Sequence, residues 1–292
     1  MTIILNGKKV AQKLKDNLRI EIEKLKSKFN RVPGLAVVQV GNFAASNVYV
    51  KAKTKAAKEV GINVIDHHLE ETTNQGELIN LINQLNDNKD VDGILVQLPL
   101  PKTINEEVVL NSIIPEKDAD GFHPLNVGKL SISSKNNENL MIPCTPYGCL
   151  LLLRELNINL AGKNAVVIGR SNIVGKPMAQ LLLKESCTVT TVHSKTLNIE
   201  NICKNADILI AAIGKPEFVN KDWVKEGAII IDVGINRIKI NEEKSKLVGD
   251  VLFSDVESKV SAISPVPGGV GPMTIACLLR NTITAYKLKY KY

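Results

Sequence analysis

Hydrophobic and polar positions along the chain alternate between two periods. Residues 8–29 (KKVAQKLKDNLRIEIEKLKSKF) place apolar side chains every three to four positions, which predicts a helix. The apolar run LAVVQV (35–40) predicts a strand, followed by a helix around Tyr49 and a strand at INVIDHHL (62–69). GELINLINQLN (76–86) returns to helical period, and VDGILVQL (91–98) reads as a further strand. This strand–helix alternation implies a parallel sheet covered by helices. PEKDADGFHP (115–124), with two prolines and no period, reads as the exit from the first unit.

A second series begins at NAVVIG (164–169) and continues through strands at TVTTV (188–192), DILIAAI (207–213) and AIIIDVG (228–234). NRIKINEEKSKLVGD (236–250) reads as a hairpin or excursion, and SSKNNENL (133–140) as a surface loop. MTIACLLRNTITAYKLKY (273–290) reads as an amphipathic helix. No repeat of solenoid period is present. The expected fold class is α/β, with two α/β domains around a cleft.

Length supports two domains, because 292 residues are many for one core. No apolar run approaches the ~20 residues of a membrane span, and the N-terminus turns polar after Leu5, unlike a secretory signal. A cytoplasmic protein with no membrane partner is expected. The net charge of +7 comes with only 4% aromatics and no dense arginine patch, which argues against a nucleic-acid partner. The charge instead suits anionic small molecules. The cysteines (Cys144, Cys149, Cys187, Cys203, Cys277) form no CxxC pair and have no histidine nearby, so no metal is expected.

VVIGRSNIVGKPMAQLLL (166–183) is a strand, a glycine turn and a helix. The usual dinucleotide fingerprint is GxGxxG. Here Gly169 and Gly175 are kept, while Arg170 and Ser171 stand where the middle glycine would be. Helix-start amides attract phosphate, and Pro177 suits a first helical turn. NAD enzymes carry an acid about 20 residues further on, at the end of the next strand. That strand end reads His193, Ser194, Lys195, with no acid. Hydroxyl and cationic groups favour a 2′-phosphate, so NADP is expected over NAD. A Rossmann-like second domain follows, with Ile235, just past the strand ending in Gly234, placed either near the nicotinamide end or in ordinary core.

In YVKAKTKAAKEV (49–60), winding at roughly 100° per residue puts Lys51, Lys55 and Lys58 on one side. Lys53 falls on the other, with Tyr49, Ala56, Ala57 and Val60. An amine that loses solvation gives up its proton more readily and can shuttle protons. The alternative is a snorkelling lysine whose head reaches water. Gln97 ends a strand where Pro99 and Pro101 stop further pairing. Asp118 and Asp120 sit in a loop, where Asp120–Gly121 alone would signal only a turn. The glycines of SPVPGGVGPMT (264–274) permit close approach to a ligand or serve a rigid connector.

Together, YVKAKTKAA, GILVQLPLP, KDADGFHP, PCTPYG, GRSNIVGKPMA, HSKT, IDVGIN and PVPGGVGPMT resemble the bifunctional methylenetetrahydrofolate dehydrogenase/methenyltetrahydrofolate cyclohydrolase family over essentially the whole chain. The resemblance implies a folate-binding catalytic domain at 1–122, onto which helix 272–292 packs back, and an NADP-binding domain at 123–271. It implies oxidation of 5,10-methylenetetrahydrofolate with NADP, then hydrolysis to 10-formyltetrahydrofolate, a one-carbon interconversion that feeds purine biosynthesis. Lys53 matches the catalytic lysine, Gln97 its assistant, Tyr49 the folate-stacking tyrosine and Asp120 the pterin anchor. Gly169, Arg170, Ser171, Ser194 and Ile235 match NADP contacts; Gly271 and Pro272 match the folate-side loop. A homodimer through the nucleotide domains is also implied. Two positions depart from the pattern: Tyr147 stands where relatives often carry a basic residue, and Ala119 where valine is usual. The rival readings are another NADP-dependent two-domain oxidoreductase, such as a shikimate-dehydrogenase-like enzyme, and a non-catalytic dinucleotide-binding module.

Overall fold

The computed structural model describes residues 1–133, 139–241 and 245–292. Its elements, in chain order, begin with β1 (Ile3–Ile4), α1 (Gly7–Phe29), β2 (Gly34–Val40), α2 (Ala44–Val60), β3 (Asn63–Leu69), α3 (Gln75–Asp87), β4 (Gly93–Val96), α4 (Glu106–Ser112), α5 (Pro124–Ile132) and α6 (Cys144–Arg154). They continue with β5 (Asn164–Ile168), α7 (Gly175–Lys184), β6 (Thr188–Val192), α8 (Ile199–Cys203), β7 (Ile208–Ala211), β8 (Ile229–Asp232), β9 (Asn236–Lys239), β10 (Ser245–Val248), α9 (Phe253–Val256), β11 (Ala262–Ile263) and α10 (Val270–Lys289). The chain divides into two compact units. One comprises residues 1–11 and 145–274, the other residues 12–144 and 275–292.

The second of these holds a parallel three-stranded sheet in the order β3-β2-β4. Central β2 is buried at every position, as a strand covered on both faces must be. Edge strand β3 alternates in exposure. Helix α3 starts with a capping box, in which Asn74 and Glu77 satisfy each other's backbone amides. It lays Leu78, Ile82 and Leu85 against a core that includes Val38, Ile94 and Val96. Helix α2 ends at Gly61, whose φ of +93° suits a left-handed cap. Where α3 ends, the buried Lys117 amine donates to the carbonyls of Leu85, Asn86 and Asn88, and burial lowers its pKa.

The other unit holds a six-stranded parallel sheet in the order β1-β11-β8-β7-β5-β6. The order reverses direction around β5, which lies between β7 and β6, the switch point where such sheets bind ligands. Val166, Ile168, Leu209, Ile230 and Trp223 pack in its core. β9 and β10 pair antiparallel, so the expected hairpin is present, although residues 242–244 lie outside the described residues. The expected loop at 133–140 falls largely on residues 134–138, which also lie outside them.

The α/β class and the parallel sheets are those the sequence pattern implied. It missed β1, β11 and the helices α4, α5, α6 and α9. Among the described residues, no helix is long and apolar enough to cross a membrane, and no group of three or more His, Cys, Asp or Glu side chains is arranged to hold a metal ion. All five cysteines are buried.

Candidate functional site

The helical period of α2 is realised as its spacing required. Lys53, Ala56, Ala57 and Val60 are buried, while Lys51, Lys55 and Lys58 are exposed. Lys53 is only 8% exposed, far less than a lysine whose side chain stands free in water. Its Nζ donates to Gln97 Oε1 at 3.0 Å. Gln97 follows the last residue of β4; its backbone amide donates to Val38 O, and its Nε2 donates to Leu98 O. With both ends of its amide engaged, Gln97 presents a fixed acceptor to the amine. Tyr49, one turn before Lys53, remains 36% exposed, and burial of its surroundings raises its phenol pKa. A half-open aromatic face on this side of α2 is suited to stacking on a planar ring.

Asp120 is held by a braced loop. Asp118 accepts from the backbone amides of Gly121 and His123 and from Asn126 Nδ2. Burial raises the Asp118 pKa against these bonds. Asn281, fully buried on α10, donates to the carbonyls of Ala119 and Ile142. Gly121 has a φ of +75°, and a Cβ there would lie 2.5 Å from the Ile142 carbonyl carbon, so only glycine fits the turn. Ala119 is fully buried, and its Cβ stands 3.2 Å from where a Cβ on Gly93 would be, so this departure from the family pattern is a matter of packing. The Asp120 carboxyl is enclosed by protein although part of the residue reaches the surface. Burial pushes its pKa up to about 6, the Lys53 charge pulling it down and Asp118 pushing it further up. Lys53, Gln97 and Asp120 are therefore one electrostatic group: a buried amine, a fixed amide and a carboxyl poised to titrate.

In the other unit, the turn after β5 opens a second site. Gly169 has a φ of +123°, and a Cβ there would lie 2.2 Å from Ala212 O. A Cβ on Gly175 would lie 2.3 Å from Gly169 O. Both glycines are thus required by close backbone approach. Ser171 Oγ accepts from the amides of Val174 and Gly175, capping the approach to α7. A cavity of about 330 Å³ lies here, lined by Gly169, Arg170, Ser171 and Ser194 together with Lys215 and Phe218. Among the described residues, no carboxylate lines it. A cavity with cations, a hydroxyl pair and a glycine turn fits a phosphorylated dinucleotide. Ile235 stands apart from this cavity, on the segment after β8, 45% exposed and within packing distance of Gly271 at the start of α10. Pro272 lies beside it in the first turn of that helix.

Two buried carboxylates staple the loops at this sheet edge. Asp250 accepts from the amides of Ile213 and Gly214 and from Asn236 Nδ2. Asp232 accepts from the amides of Gly234, Asp250 and Val251. Burial pushes the Asp232 pKa up to about 7 against these bonds. Lys215 and Phe218, on the loop after β7, were not singled out from the sequence. The rule that ligands gather beyond the carboxyl ends of strands points to that loop, but a lysine beside Gly214 and Pro216 reads locally as a solvated turn.

Residues 5–120 match the family model described as tetrahydrofolate dehydrogenase/cyclohydrolase, catalytic domain. Residues 143–290 match tetrahydrofolate dehydrogenase/cyclohydrolase, NAD(P)-binding domain. The chain is 55% identical to the bifunctional protein FolD of Acetivibrio thermocellus, over 99% of this chain and 98% of that one. The crystal structure of the FolD methylenetetrahydrofolate dehydrogenase/cyclohydrolase of Campylobacter jejuni is 48% identical, with a TM-score of 0.92 over 99% and 100% of the two chains. That of Trypanosoma brucei, complexed with NADP cofactor and inhibitor, is 38% identical, with a TM-score of 0.94 over 100% and 99%.

Proposed function

This chain belongs to the tetrahydrofolate dehydrogenase/cyclohydrolase family, and we propose how its own residues divide the family's two reactions. The chain oxidises 5,10-methylenetetrahydrofolate to 5,10-methenyltetrahydrofolate with NADP, then hydrolyses the product to 10-formyltetrahydrofolate. The observation that carries the proposal is the Lys53–Gln97 hydrogen bond at 3.0 Å on an otherwise apolar helix face.

NADP, when bound, supplies the hydride acceptor for the first step. The folate nitrogens share the positive charge left on the methenyl carbon, so this step asks the protein mainly for alignment. Tyr49 stacks on the folate, and Asp120, when ionised, accepts hydrogen bonds from the pterin. In the second step, water attacks the methenyl carbon, loses a proton, and a carbon–nitrogen bond of the ring opens with a proton placed on the departing nitrogen. Lys53 receives and returns that proton, and Gln97 holds the amine in line. Gly169, Arg170, Ser171 and Ser194 hold the phosphates and ribose of the cofactor, and Ile235 borders its nicotinamide. Gly271 and Pro272 serve the folate side. Assembly as a homodimer through the nucleotide-binding units, supported by the family resemblance, and a cytoplasmic location complete the reading.

The ionised form of Asp120 is the one that accepts from the pterin, so KM for methylenetetrahydrofolate should rise as pH falls below about 6. Asp120→Asn should give a high KM that no longer depends on pH. A KM for the unmodified protein that stays flat between about pH 5 and 8 would remove Asp120 from this role. The same raised pKa means that ionisation costs native stability. The free energy of unfolding therefore falls, for this group, as pH rises from the usual carboxylate value of 3.8 to about 6.

Charge-assisted hydrogen bonds to the 2′-phosphate are worth about 1.5–3 kcal/mol each. Replacing Arg170 and Ser194 together by alanine should raise KM for NADP by at least about 100-fold while changing KM for NAD little. Equal losses with the two cofactors would refute the assignment of these residues to the 2′-phosphate.

A further inference from the structure

The geometry points to Lys215 as a specificity residue of the nucleotide site, supplying a second positive charge to the 2′-phosphate of NADP from the loop after β7. The sheet order supports this placement. β5 lies between β7 and β6, so the loops after β7 and β6 flank the glycine turn after β5 on its two sides. The turn contributes Arg170 and Ser171, the loop after β6 contributes Ser194, and the loop after β7 contributes Lys215; all line the same cavity of about 330 Å³.

The position of Lys215 is built. Asp250 Oδ2 accepts from the amides of Ile213 at 2.7 Å and Gly214 at 2.9 Å, which pins the loop to the sheet edge. Gly214 then turns the chain with a φ of +67°, a conformation open to glycine at little cost. Lys215 Nζ stands 5.1 Å from the centre of the Phe218 ring, and that ring packs edge-on against Trp223 at 5.0 Å. The ammonium thus rests on an aromatic face at the rim of the cavity. An amine resting on a ring face keeps its hydrogen-bond donors to offer, and a phosphate dianion is the partner that satisfies them best. Arg170 and Lys215 together give the cavity two cations, with no carboxylate among the described residues of its lining to offset them.

The inference rests on NADP as the cofactor, and the test separates the two ideas. Binding of 2′,5′-ADP and 5′-AMP is measured by calorimetry at low ionic strength for the unmodified protein, Lys215→Met and Lys215→Arg. The unmodified protein should prefer 2′,5′-ADP. Lys215→Met should lose about tenfold in affinity for 2′,5′-ADP and less than about twofold for 5′-AMP, and Lys215→Arg should restore most of the loss. Lys215 is exposed, so neither change disturbs the core. Unmodified protein that binds the two nucleotides equally overturns the cofactor reading itself. A preference for 2′,5′-ADP that survives intact in Lys215→Met, or equal losses for both nucleotides, overturns the role of Lys215 alone.

Discussion

Lys53→Met should abolish hydrolysis of supplied methenyltetrahydrofolate while leaving the folate bound. Methionine keeps the length and apolar packing of the lysine stem but has no proton to give or take. Positioned general acid–base catalysis contributes about 10²–10⁴-fold, and the cyclohydrolase kcat should fall by an amount in that range. Oxidation of methylenetetrahydrofolate, which needs alignment more than proton transfer, should fall much less. Removing the amine also leaves Gln97 Oε1 without the donor it now has at 3.0 Å, a modest cost because that amide lies at a partly accessible strand end. The assay is the decay of the methenyl chromophore after mixing, with folate binding measured separately. Full turnover in the variant would show that the amine is a structural feature of α2 and nothing more.

The reverse dissociation is expected at the glycine turn. Gly169→Ala places a methyl group 2.2 Å from Ala212 O at a φ of +123°, where side chains are strained by about 1–3 kcal/mol before any clash is counted. The carbonyl has little freedom to retreat, because Ala212 N donates to Ile168 O at 2.9 Å as β5 and β7 pair. The turn itself must shift, and with it the Arg170 and Ser171 positions. NADP affinity should drop by at least about tenfold, and Tm should fall by roughly 2–10 °C. Hydrolysis of supplied methenyltetrahydrofolate should persist, since Lys53, Gln97 and Asp120 belong to the other unit. Unchanged NADP affinity would mean that this turn does not cradle the cofactor.

What the sequence revealed and what it concealed follow from the range of the interactions. The inward lysine was legible because helical period is local: Lys53 shares a face with Ala56 and Val60 whatever surrounds the helix. The glycine turn was legible because a strand, two spaced glycines and an amphipathic helix follow one another without interruption. The contact between Lys53 and Gln97 was implied by the family resemblance but by no local pattern, since it joins residues 44 positions apart through the packing of α2 on the sheet. β1 and β11 were missed because two-residue strands are too short to show a period; they exist because Ile3 and Ile4 pair with Ala262 and Ile263. Helix α6 was missed because CTPYGCLLLLR opens with a proline and a glycine, both costly in helix interiors. Gly148 is nevertheless needed there, since a Cβ would stand 2.7 Å from that of Met273. Lys215 was passed over because its meaning depends on the order of strands in the sheet, which sequence adjacency does not reveal.

The most direct measurement of the central claim is one time course. Purified unmodified protein is mixed with methylenetetrahydrofolate and NADP, and reduced cofactor, methenyl and formyl species are followed together. The account predicts reduced cofactor in step with substrate loss, and a methenyl signal that rises briefly and then falls to 10-formyltetrahydrofolate faster than in protein-free buffer. Reduced cofactor accompanied by methenyl that lingers at the protein-free rate would contradict it, because the buried amine would then have no part in the chemistry.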